Sequence, residues 1–299
     1  MARVRKIIGL DIGNYRLKAA VCSNGRLEEM LTETMPDNLV KENRIVSYEA
    51  MADFIRSVLK EHKISVKHAA ICLPSEAVYT RSDVTLPVMT TDQLKVNLPY
   101  EFHDYITEGM EQYVYDYAVL DMRENEMELL AVAAQKEMIL KLQDMCLRAG
   151  LKPYLIAPEF MAFRNLILEE ERRRGIEHGS RDYAILDIGD LSIKIHFFTK
   201  GEYEVTRALD YGCRTFAQAC AEEAGQDVHI TRLNIEARRM DAVSEEVLGD
   251  YYGQIAVQIM RVLNFYNFNN PHGGLDMLYF CGGGSMIPEL MAEIQEMTG

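Results

Sequence analysis

Two short stretches of the sequence place an aspartate, a glycine and a lysine in an order that can hold a phosphate group. Residues 9–18 read GLDIGNYRLK and residues 185–194 read ILDIGDLSIK. Glycine lets backbone N–H groups approach an anion closely, and a lysine ammonium adds a point charge. One copy alone is ordinary turn chemistry. The recurrence instead indicates one phosphate-binding hairpin used twice.

A third candidate lies near the C-terminal end, where the sequence reads DMLYFCGGGSMIPELMAEIQEM. The apolar residues predict a strand, and a helix is predicted to start near Pro288. A glycine triplet between a strand and a helix suits close backbone approach and can aim N–H groups at a ligand. The candidate residues are Gly282, Gly283, Gly284 and Ser285.

The elements that position these residues follow from an internal duplication. Residues 8–27 and 184–203 align without a gap. Each copy predicts a strand, a turn, an alternating strand, a glycine turn and a third strand. The charged stretch EEERRRGIEHGSR at 169–181 marks the boundary between two domains, 1–176 and 177–299. Residues 77–150 change character and predict a small α+β insertion in the first domain. An alternating apolar run predicts a strand at 68–73. Helices are also predicted at 50–62, 136–149, 215–224 and 243–268, and from 158 onward.

Composition excludes several classes of function. The 299 residues carry a formal net charge of −14 with a pI near 5.0, which disfavours a nucleic-acid partner. No apolar run approaches the ~18 residues of a membrane span, so no direct membrane insertion and a cytoplasmic protein are expected. Six scattered cysteines indicate reduced, packed thiols, and the cysteines and histidines show no spacing typical of a metal site.

Two D-I-G hairpins in duplicated halves, together with a strand–GGGS–helix, resemble the actin-like ATPase superfamily over nearly the whole chain. The resemblance implies an α/β, actin-like (ribonuclease H-like) duplicated two-domain fold with a small inserted α+β subdomain. The insertion is similar to that of FtsA cell-division proteins and of PilM type IV pilus assembly proteins. Residues 130–159, LAVAAQKEMILKLQDMCLRAGLKPYLIAPE, resemble the PilM family in particular.

The resemblance implies ATP and Mg²⁺ as cofactors and assigns roles residue by residue. Asp11 and Asp187 would hold the metal ion, and with Glu159 they form the candidate catalytic set. Two facing carboxylates suit a hydrated Mg²⁺, which keeps several waters and takes few protein ligands. The residues assigned to the nucleotide are Gly13, Asn14, Tyr15, Arg16, Lys18, Gly189, Asp190, Ser192, Glu236, Arg239, Gly282, Gly283, Gly284 and Ser285.

The sequence also departs from the superfamily pattern. Asn14, Tyr15 and Arg16 replace small residues; Tyr15 could crowd the phosphates and Arg16 could bind them, and both readings stay open. Glu289 stands where another glycine is usual in the adenosine motif. The family continues with a further strand and a closing helix where this sequence stops, so those elements are expected to be missing.

Four functions compete at this stage. The resemblance favours a cytoplasmic ATP-binding scaffold of type IV pilus assembly, bound to the cytoplasmic N-terminal tail of an inner-membrane protein resembling PilN. It would lie at the inner face of the membrane through that partner, which would bind near 78–117. The alternatives are an FtsA-like division protein, a small-molecule kinase and a pseudo-ATPase without nucleotide. At most slow ATP hydrolysis is expected, because the sequence shows no dedicated base for fast phosphoryl transfer.

Overall fold

The computed structural model describes residues 6–237, 239, 245–270 and 274–298. The chain forms two compact units, Met1–Leu166 and Ile167–Gly299. The elements of the first unit are β1 (Lys6–Ile12), β2 (Arg16–Ser23), β3 (Arg26–Thr34), β4 (Val40–Lys41), β5 (Arg44–Ile45), α1 (Tyr48–Glu61), β6 (His68–Leu73), β7 (Val78–Pro87), α2 (Thr91–Asn97), β8 (Tyr113–Met122), β9 (Glu126–Gln135), α3 (Lys136–Arg148), β10 (Lys152–Pro158) and the start of α4 (Glu159–Arg174).

The first unit is organised around a five-stranded sheet in the order β10-β6-β1-β2-β3. Strands β1, β6 and β10 run parallel, whereas β2 and β3 are antiparallel to their neighbours. Carboxyl ends of parallel strands meet at one edge of a sheet, where ligands bind in open α/β folds. The first hairpin leaves β1 at that edge.

Helix α1 shows why the sequence folds in this way. The Ser47 side chain caps its first turn by accepting the N–H of Ala50 at 3.2 Å. Met51, Ile55 and Val58 follow at helical spacing and are buried in the core of the unit. The helix therefore covers the sheet with one apolar face.

The predicted α+β insertion contains an antiparallel sheet in the order β7-β9-β8. Its own core includes Val84 and Leu129 from the strands and Phe102 from the short 3₁₀ helix Leu98–Phe102. Helix α3 packs elsewhere, because Leu142 and Met145 are buried in the core of the five-stranded sheet. The part with a core of its own therefore ends before α3.

The second unit begins within α4 and repeats the first three strands of the chain. Its further elements are β11 (Tyr183–Ile188), β12 (Ile193–Thr199), β13 (Glu202–Leu209), α5 (Cys213–Ala224), α6 (Val228–Glu236), α7 (Glu245–Asn269), β14 (Met277–Cys281) and α8 (Pro288–Thr298). The sheet order β13-β12-β11-β14 matches β3-β2-β1-β6 of the first unit, and β14 runs parallel to β11 as β6 does to β1.

The duplication is therefore visible in the topology and in the turns. Asn24 and Gly25, like Lys200 and Gly201, have positive φ angles, as a two-residue hairpin turn requires. The sequence pattern did not single out β10 or α6, which are short and contain prolines or exposed apolar residues. The first two residues of the helix predicted at 243–268 lie outside the described residues.

Candidate functional site

The first hairpin joins β1 to β2 and places an aspartate directly across from a lysine. Asp11 is the cross-strand partner of Lys18, and Lys18 Nζ lies 2.9 Å from Asp11 Oδ2. Both side chains remain about half exposed. The seven-residue spacing noted in the sequence is therefore the register of a hairpin, with the carboxylate and ammonium facing solvent side by side.

The glycine of this hairpin closes the turn. The Gly13 N–H donates to the carbonyl oxygen of Arg16 at 3.1 Å. A Cβ at Gly13 would lie 3.0 Å from that same oxygen, so a larger residue would crowd the turn. Because the Gly13 N–H is used within the turn, a phosphate would meet the N–H groups of later turn residues.

The tip of the first hairpin is tied to two neighbouring segments. Asn14 Oδ1 accepts the backbone N–H of Asn43 at 3.0 Å, and the Asn14 amide donates back to Asn43 Oδ1. The Tyr15 carbonyl accepts the N–H of Met35 at 2.9 Å. The Arg16 guanidinium lies 5.5 Å from the centre of the Tyr15 ring, a cation–π distance. The residues that depart from the family pattern thus hold the turn in place.

The predicted catalytic Glu159 lies at the same edge of the sheet, at the start of α4. Its Oε1 accepts the N–H and the hydroxyl of Ser75 at 2.9 and 2.8 Å. Burial raises the pKa of the Cys72 thiol to about 11, with the charges of Asp11 and Glu159 adding to the shift and Lys18 opposing it. Asp11, Lys18 and Glu159 therefore surround the carboxyl end of β6.

The second hairpin, between β11 and β12, repeats this geometry. Asp187 pairs with Lys194 across the strands, and the Gly189 N–H donates to the Ser192 carbonyl at 3.0 Å. A Cβ at Gly189 would lie 2.9 Å from that carbonyl oxygen. Lys194 is buried, whereas Lys18 is half exposed. The alignment of the two repeats could have pointed to Lys194, which the candidate set left out.

Asp190 is held inside the second unit by two arginines. Arg214 Nη2 lies 3.0 Å from its Oδ2 and Arg232 Nη2 lies 2.6 Å from its Oδ1, and only 8% of the Asp190 side chain is exposed. The carbonyl of Asp190 also accepts the N–H of Arg214 at 2.9 Å. Helix α5 can come this close because the residue before it, Gly212, has no Cβ. A Cβ there would lie 2.3 Å from the carbonyl oxygen of Asp190.

The glycine triplet packs on the end of β11, and its members differ. Gly282 has a φ of +84°, and a Cβ there would lie 2.4 Å from Asp187 Oδ1. A Cβ at Gly284 would lie 2.1 Å from Ile188 Cγ2, whereas nothing lies within 4 Å of one at Gly283. The Ser285 hydroxyl donates to the Gly282 carbonyl at 2.8 Å. Gly283 alone therefore faces open space that a ligand could fill.

Glu236 and Arg239 lie at the end of α6 and just beyond it, both exposed. Burial raises the pKa of the Cys213 thiol to about 12; the Asp190 and Glu236 charges add to this and Arg232 opposes it. Glu236 therefore lies near the start of α5. The Arg239 N–H donates to the Asn234 carbonyl at 2.9 Å, which extends the turn after α6.

Within each unit the structure brings the predicted residues together. In the first, Asp11, Lys18, Glu159 and the turn meet at the carboxyl edge. In the second, Asp187, the turn, the glycine triplet and Glu236 surround the start of α5. Sequence reasoning missed the supporting residues Asn43, Ser75, Arg214 and Arg232. In the sequence these four residues carry no signal beyond their being polar, because each lies far along the chain from the residue that it holds.

Two further findings concern the part of the chain that the structure describes. None of its helices is long and apolar enough to cross a membrane. It also contains no group of three or more histidine, cysteine, aspartate or glutamate side chains that could enclose a metal ion. A cation here would depend on one or two carboxylates and on ligands that a bound molecule supplies.

A family model described as type IV pilus assembly protein PilM matches residues 9–299. A solved PilM-PilN type IV pilus biogenesis complex is similar at 23% identity and a TM-score of 0.80, covering 99% of this chain and 86% of that one.

Two other solved structures share the fold. The ethanolamine utilization protein EutJ from Carboxydothermus hydrogenoformans is 14% identical with a TM-score of 0.62, over 99% of this chain and 83% of that one. MreB 5 of Spiroplasma citri, bound to AMPPNP, is 11% identical with a TM-score of 0.51, over 99% and 95%. These likenesses confirm the predicted actin-like fold.

Proposed function

Because the chain belongs to the type IV pilus assembly protein PilM family, we propose that it is an ATP-binding scaffold that holds the cytoplasmic tail of a PilN-like inner-membrane protein. The similar solved complex joins PilM with PilN. The family match favours pilus assembly over the FtsA-like and kinase alternatives. In this proposal the protein lies at the inner face of the membrane through its partner, and its two actin-like domains span 1–176 and 177–299.

One observation carries the nucleotide part of the proposal. The same hairpin is built twice, each time at the carboxyl end of a strand that has a parallel neighbour and with an aspartate across from a lysine. Such an edge, with glycine turns and fixed cations, suits phosphate groups. In the second unit the open side of Gly283 and the nearby Glu236 would take the nucleoside.

Magnesium fits the donors that these hairpins present. Asp11 is half exposed and already accepts a cation, the Lys18 ammonium. Mg²⁺ takes carboxylate oxygens, keeps several waters and uses substrate phosphates. Asp11 in the first unit and Asp187 in the second would therefore each offer a carboxylate ligand to the ion beside phosphate oxygens, and the ion would neutralise phosphate charge. Lys18 would take a β- or γ-phosphate oxygen.

Thermal unfolding tests nucleotide binding. A ligand that binds only the folded state stabilises it by about 2.7 kcal/mol at a hundredfold excess over Kd, so Mg·ATP should raise the unfolding temperature. Asp11→Ala or Asp187→Ala should abolish that rise. The matched control is Asp92→Ala, which removes a carboxylate with 91% exposure in the insertion. No shift of the native protein at millimolar Mg·ATP would support the pseudo-ATPase alternative.

The partner part of the proposal rests on a cluster of three tyrosines in the insertion, two of which are exposed. The Tyr79 ring centre lies 6.1 Å from that of Tyr105 and 6.0 Å from that of Tyr113. Tyr79 is 39% and Tyr105 51% exposed. Tyrosine is enriched in interface hot spots, and its ring offers a large contact area at low conformational-entropy cost. Carboxylates at 101, 104, 108 and 111 add negative charge that would attract a basic membrane-proximal segment.

Isothermal titration with a peptide from the cytoplasmic N-terminus of the partner tests this site. Tyr79→Ala removes both ring contacts and should weaken binding by about 2 kcal/mol, the scale of an interface hot spot. Tyr154→Ala is the control, since Tyr154 is also exposed but lies on β10, outside the insertion. Unchanged binding by Tyr79→Ala would move the partner site elsewhere. Deleting 77–150 is unsuitable because it removes Leu142 and Met145 from the core of the unit.

Nucleotide should act as a structural ligand rather than as a fuel. Glu159, the candidate for orienting water, has one oxygen fixed by two hydrogen bonds from Ser75, and fast phosphoryl transfer needs a group free to orient the nucleophile. Phosphate release at saturating Mg·ATP should lie well below the ~10 s⁻¹ typical of enzymes. A rate at that level, or acceleration by a small-molecule acceptor, would restore the kinase alternative.

A further inference from the structure

The residue that follows the glycine has the same structural task in both hairpins. We propose that Asn14 and Asp190 are positioning residues that tether the two phosphate turns to neighbouring elements, and that neither contacts the nucleotide. Asn43 holds the first turn, and Arg214 and Arg232 hold the second. The inference rests on the proposed nucleotide function for its purpose, but the tethers themselves can be tested without nucleotide.

In the first unit the tether is a reciprocal pair of hydrogen bonds. Asn14 Oδ1 accepts the Asn43 N–H at 3.0 Å, and the Asn14 amide group donates to Asn43 Oδ1. Asn43 also places its amide nitrogen 3.5 Å from Glu76 Oε1. The pair uses the oxygen and one N–H of the Asn14 amide, so this side chain points at the β4–β5 hairpin.

Asn43 is itself rigidly placed. It sits with Glu42 in the two-residue turn between β4 and β5, and both have positive φ angles, 59° and 49°. Lys41 pairs with Arg44 on either side of this turn. Asparagine tolerates the left-handed region better than most residues, so the turn presents its side chain in one direction. The β4–β5 hairpin thus provides a fixed hydrogen-bonding partner for the phosphate turn.

In the second unit the tether is ionic. Each carboxylate oxygen of Asp190 meets one guanidinium, from Arg214 at 3.0 Å and from Arg232 at 2.6 Å. The arginines lie on α5 and α6, so one side chain fixes the turn to two helices. An unpaired aspartate pointing at a triphosphate would repel it. Two guanidiniums neutralise the carboxylate and remove that repulsion.

Positioning matters because phosphate recognition by backbone N–H groups depends on geometry. Such groups act at full strength only when they are held in place before the ligand arrives. The glycine allows each turn several backbone conformations, and the tether of the next side chain then stabilises one of them. The duplicated turns therefore share one mechanism of support but use different chemistry, an amide pair in one and an ion triad in the other.

Hydrogen exchange in the nucleotide-free protein tests the tethers directly. Asn43→Gly keeps the positive φ and the backbone N–H but removes the side chain, so amides of residues 13–16 should exchange about 5- to 10-fold faster, the loss of roughly one hydrogen bond. Glu42→Gly, a glycine at the adjoining turn position, is the control and should leave 13–16 unchanged. Unchanged exchange in Asn43→Gly would overturn the first tether.

Asp190→Asn supplies the corresponding test of the second turn. It keeps the shape but weakens both arginine contacts, so residues 189–192 should exchange faster, whereas Asp210→Asn, an exposed carboxylate before α5, should change nothing there. Unchanged exchange at 189–192 would overturn this tether.

Measured nucleotide affinities test whether the tethers position the turns for phosphate binding. Asn43→Gly should weaken Mg·ATP about 5- to 10-fold, as expected for one lost hydrogen bond, and should weaken AMP far less, because AMP lacks the β- and γ-phosphates. Faster exchange with unchanged ATP affinity would overturn the positioning role. If the native protein bound no ATP, both the positioning role and the proposed nucleotide function would fail. The exchange data would still decide whether the tethers exist.

Discussion

The glycine triplet allows a prediction that separates folding from ligand binding at three adjacent positions. Gly282→Ala puts a Cβ 2.4 Å from both Asp187 Oδ1 and the Ile188 carbonyl oxygen, at a φ of +84°. The left-handed backbone costs roughly 1–2 kcal/mol and the overlap about 1–3 kcal/mol, so the free energy of unfolding should fall by about 2–5 kcal/mol. Gly284→Ala overlaps Ile188 Cγ2 at 2.1 Å without positive φ and should cost about 1–3 kcal/mol.

Gly283→Ala is the matched control, because nothing lies within 4 Å of its Cβ and its φ is not left-handed. It should change the free energy of unfolding by less than about 1 kcal/mol, and can even stabilise the protein by restricting the unfolded chain. Its expected effect is instead on ligand binding, as a smaller rise in unfolding temperature with Mg·ATP.

Urea unfolding followed by circular dichroism measures these differences, since the chain has no tryptophan for fluorescence. With a slope of roughly 2 kcal/mol per M, Gly282→Ala should lower the midpoint of the transition that reports the second unit by about 1–2.5 M. The reasoning fails if Gly282→Ala is as stable as the native protein. It also fails if Gly283→Ala loses as much stability as its two neighbours.

Two further predictions concern buried polar groups. Burial raises the pKa of the Cys213 thiol to about 12 and that of Cys72 to about 11, from an ordinary value of 9.0, so neither should react with iodoacetamide at pH 8 until urea is added. Because the unfolded state loses these protons first, the urea midpoint should fall as pH rises from about 9 towards 11; a midpoint that rises over this range would contradict the assignment. Tyr266→Phe should lower the free energy of unfolding by about 1–2 kcal/mol, since it removes the hydroxyl that donates to Glu204 at 2.6 Å but keeps the ring stacked 3.9 Å from Phe197. Tyr251→Phe, on the same helix, is the control, and an equal loss from both variants would refute the role of the buried hydroxyl.

Much of the fold could be predicted because its signals are local in the sequence. Asp11 and Lys18 are seven residues apart on one hairpin, so the pattern that suggested the hairpin also fixed their pairing. Strand β6 was predicted with its observed bounds, His68–Leu73, from one apolar alternating run. The repeat of the first hairpin in the second unit then predicted a duplicated architecture, which sheet order and known folds confirm.

Packing over long sequence separations decided the rest. Helix α3 was predicted correctly as a helix but was grouped with the insertion, whereas its buried residues lie in the core of the five-stranded sheet. Periodicity identifies an apolar face and carries no information about which sheet covers it. The insertion's own core, including Phe102 and Leu129, therefore became visible only in the folded chain.

The sequence by itself determined which two hairpins carry the candidate phosphate-binding residues, because aspartate, glycine and lysine lie within one hairpin and turn chemistry is local. Only the tertiary structure decided what each polar residue near the turn does. Asn14 and Asp190 look like ligands in the sequence, yet their partners Asn43, Arg214 and Arg232 come from separate elements. Hydrogen bonds and ion pairs act over about 3 Å in space, whatever the separation along the chain. The assignment of a side chain to support or to ligand is therefore made when the elements pack.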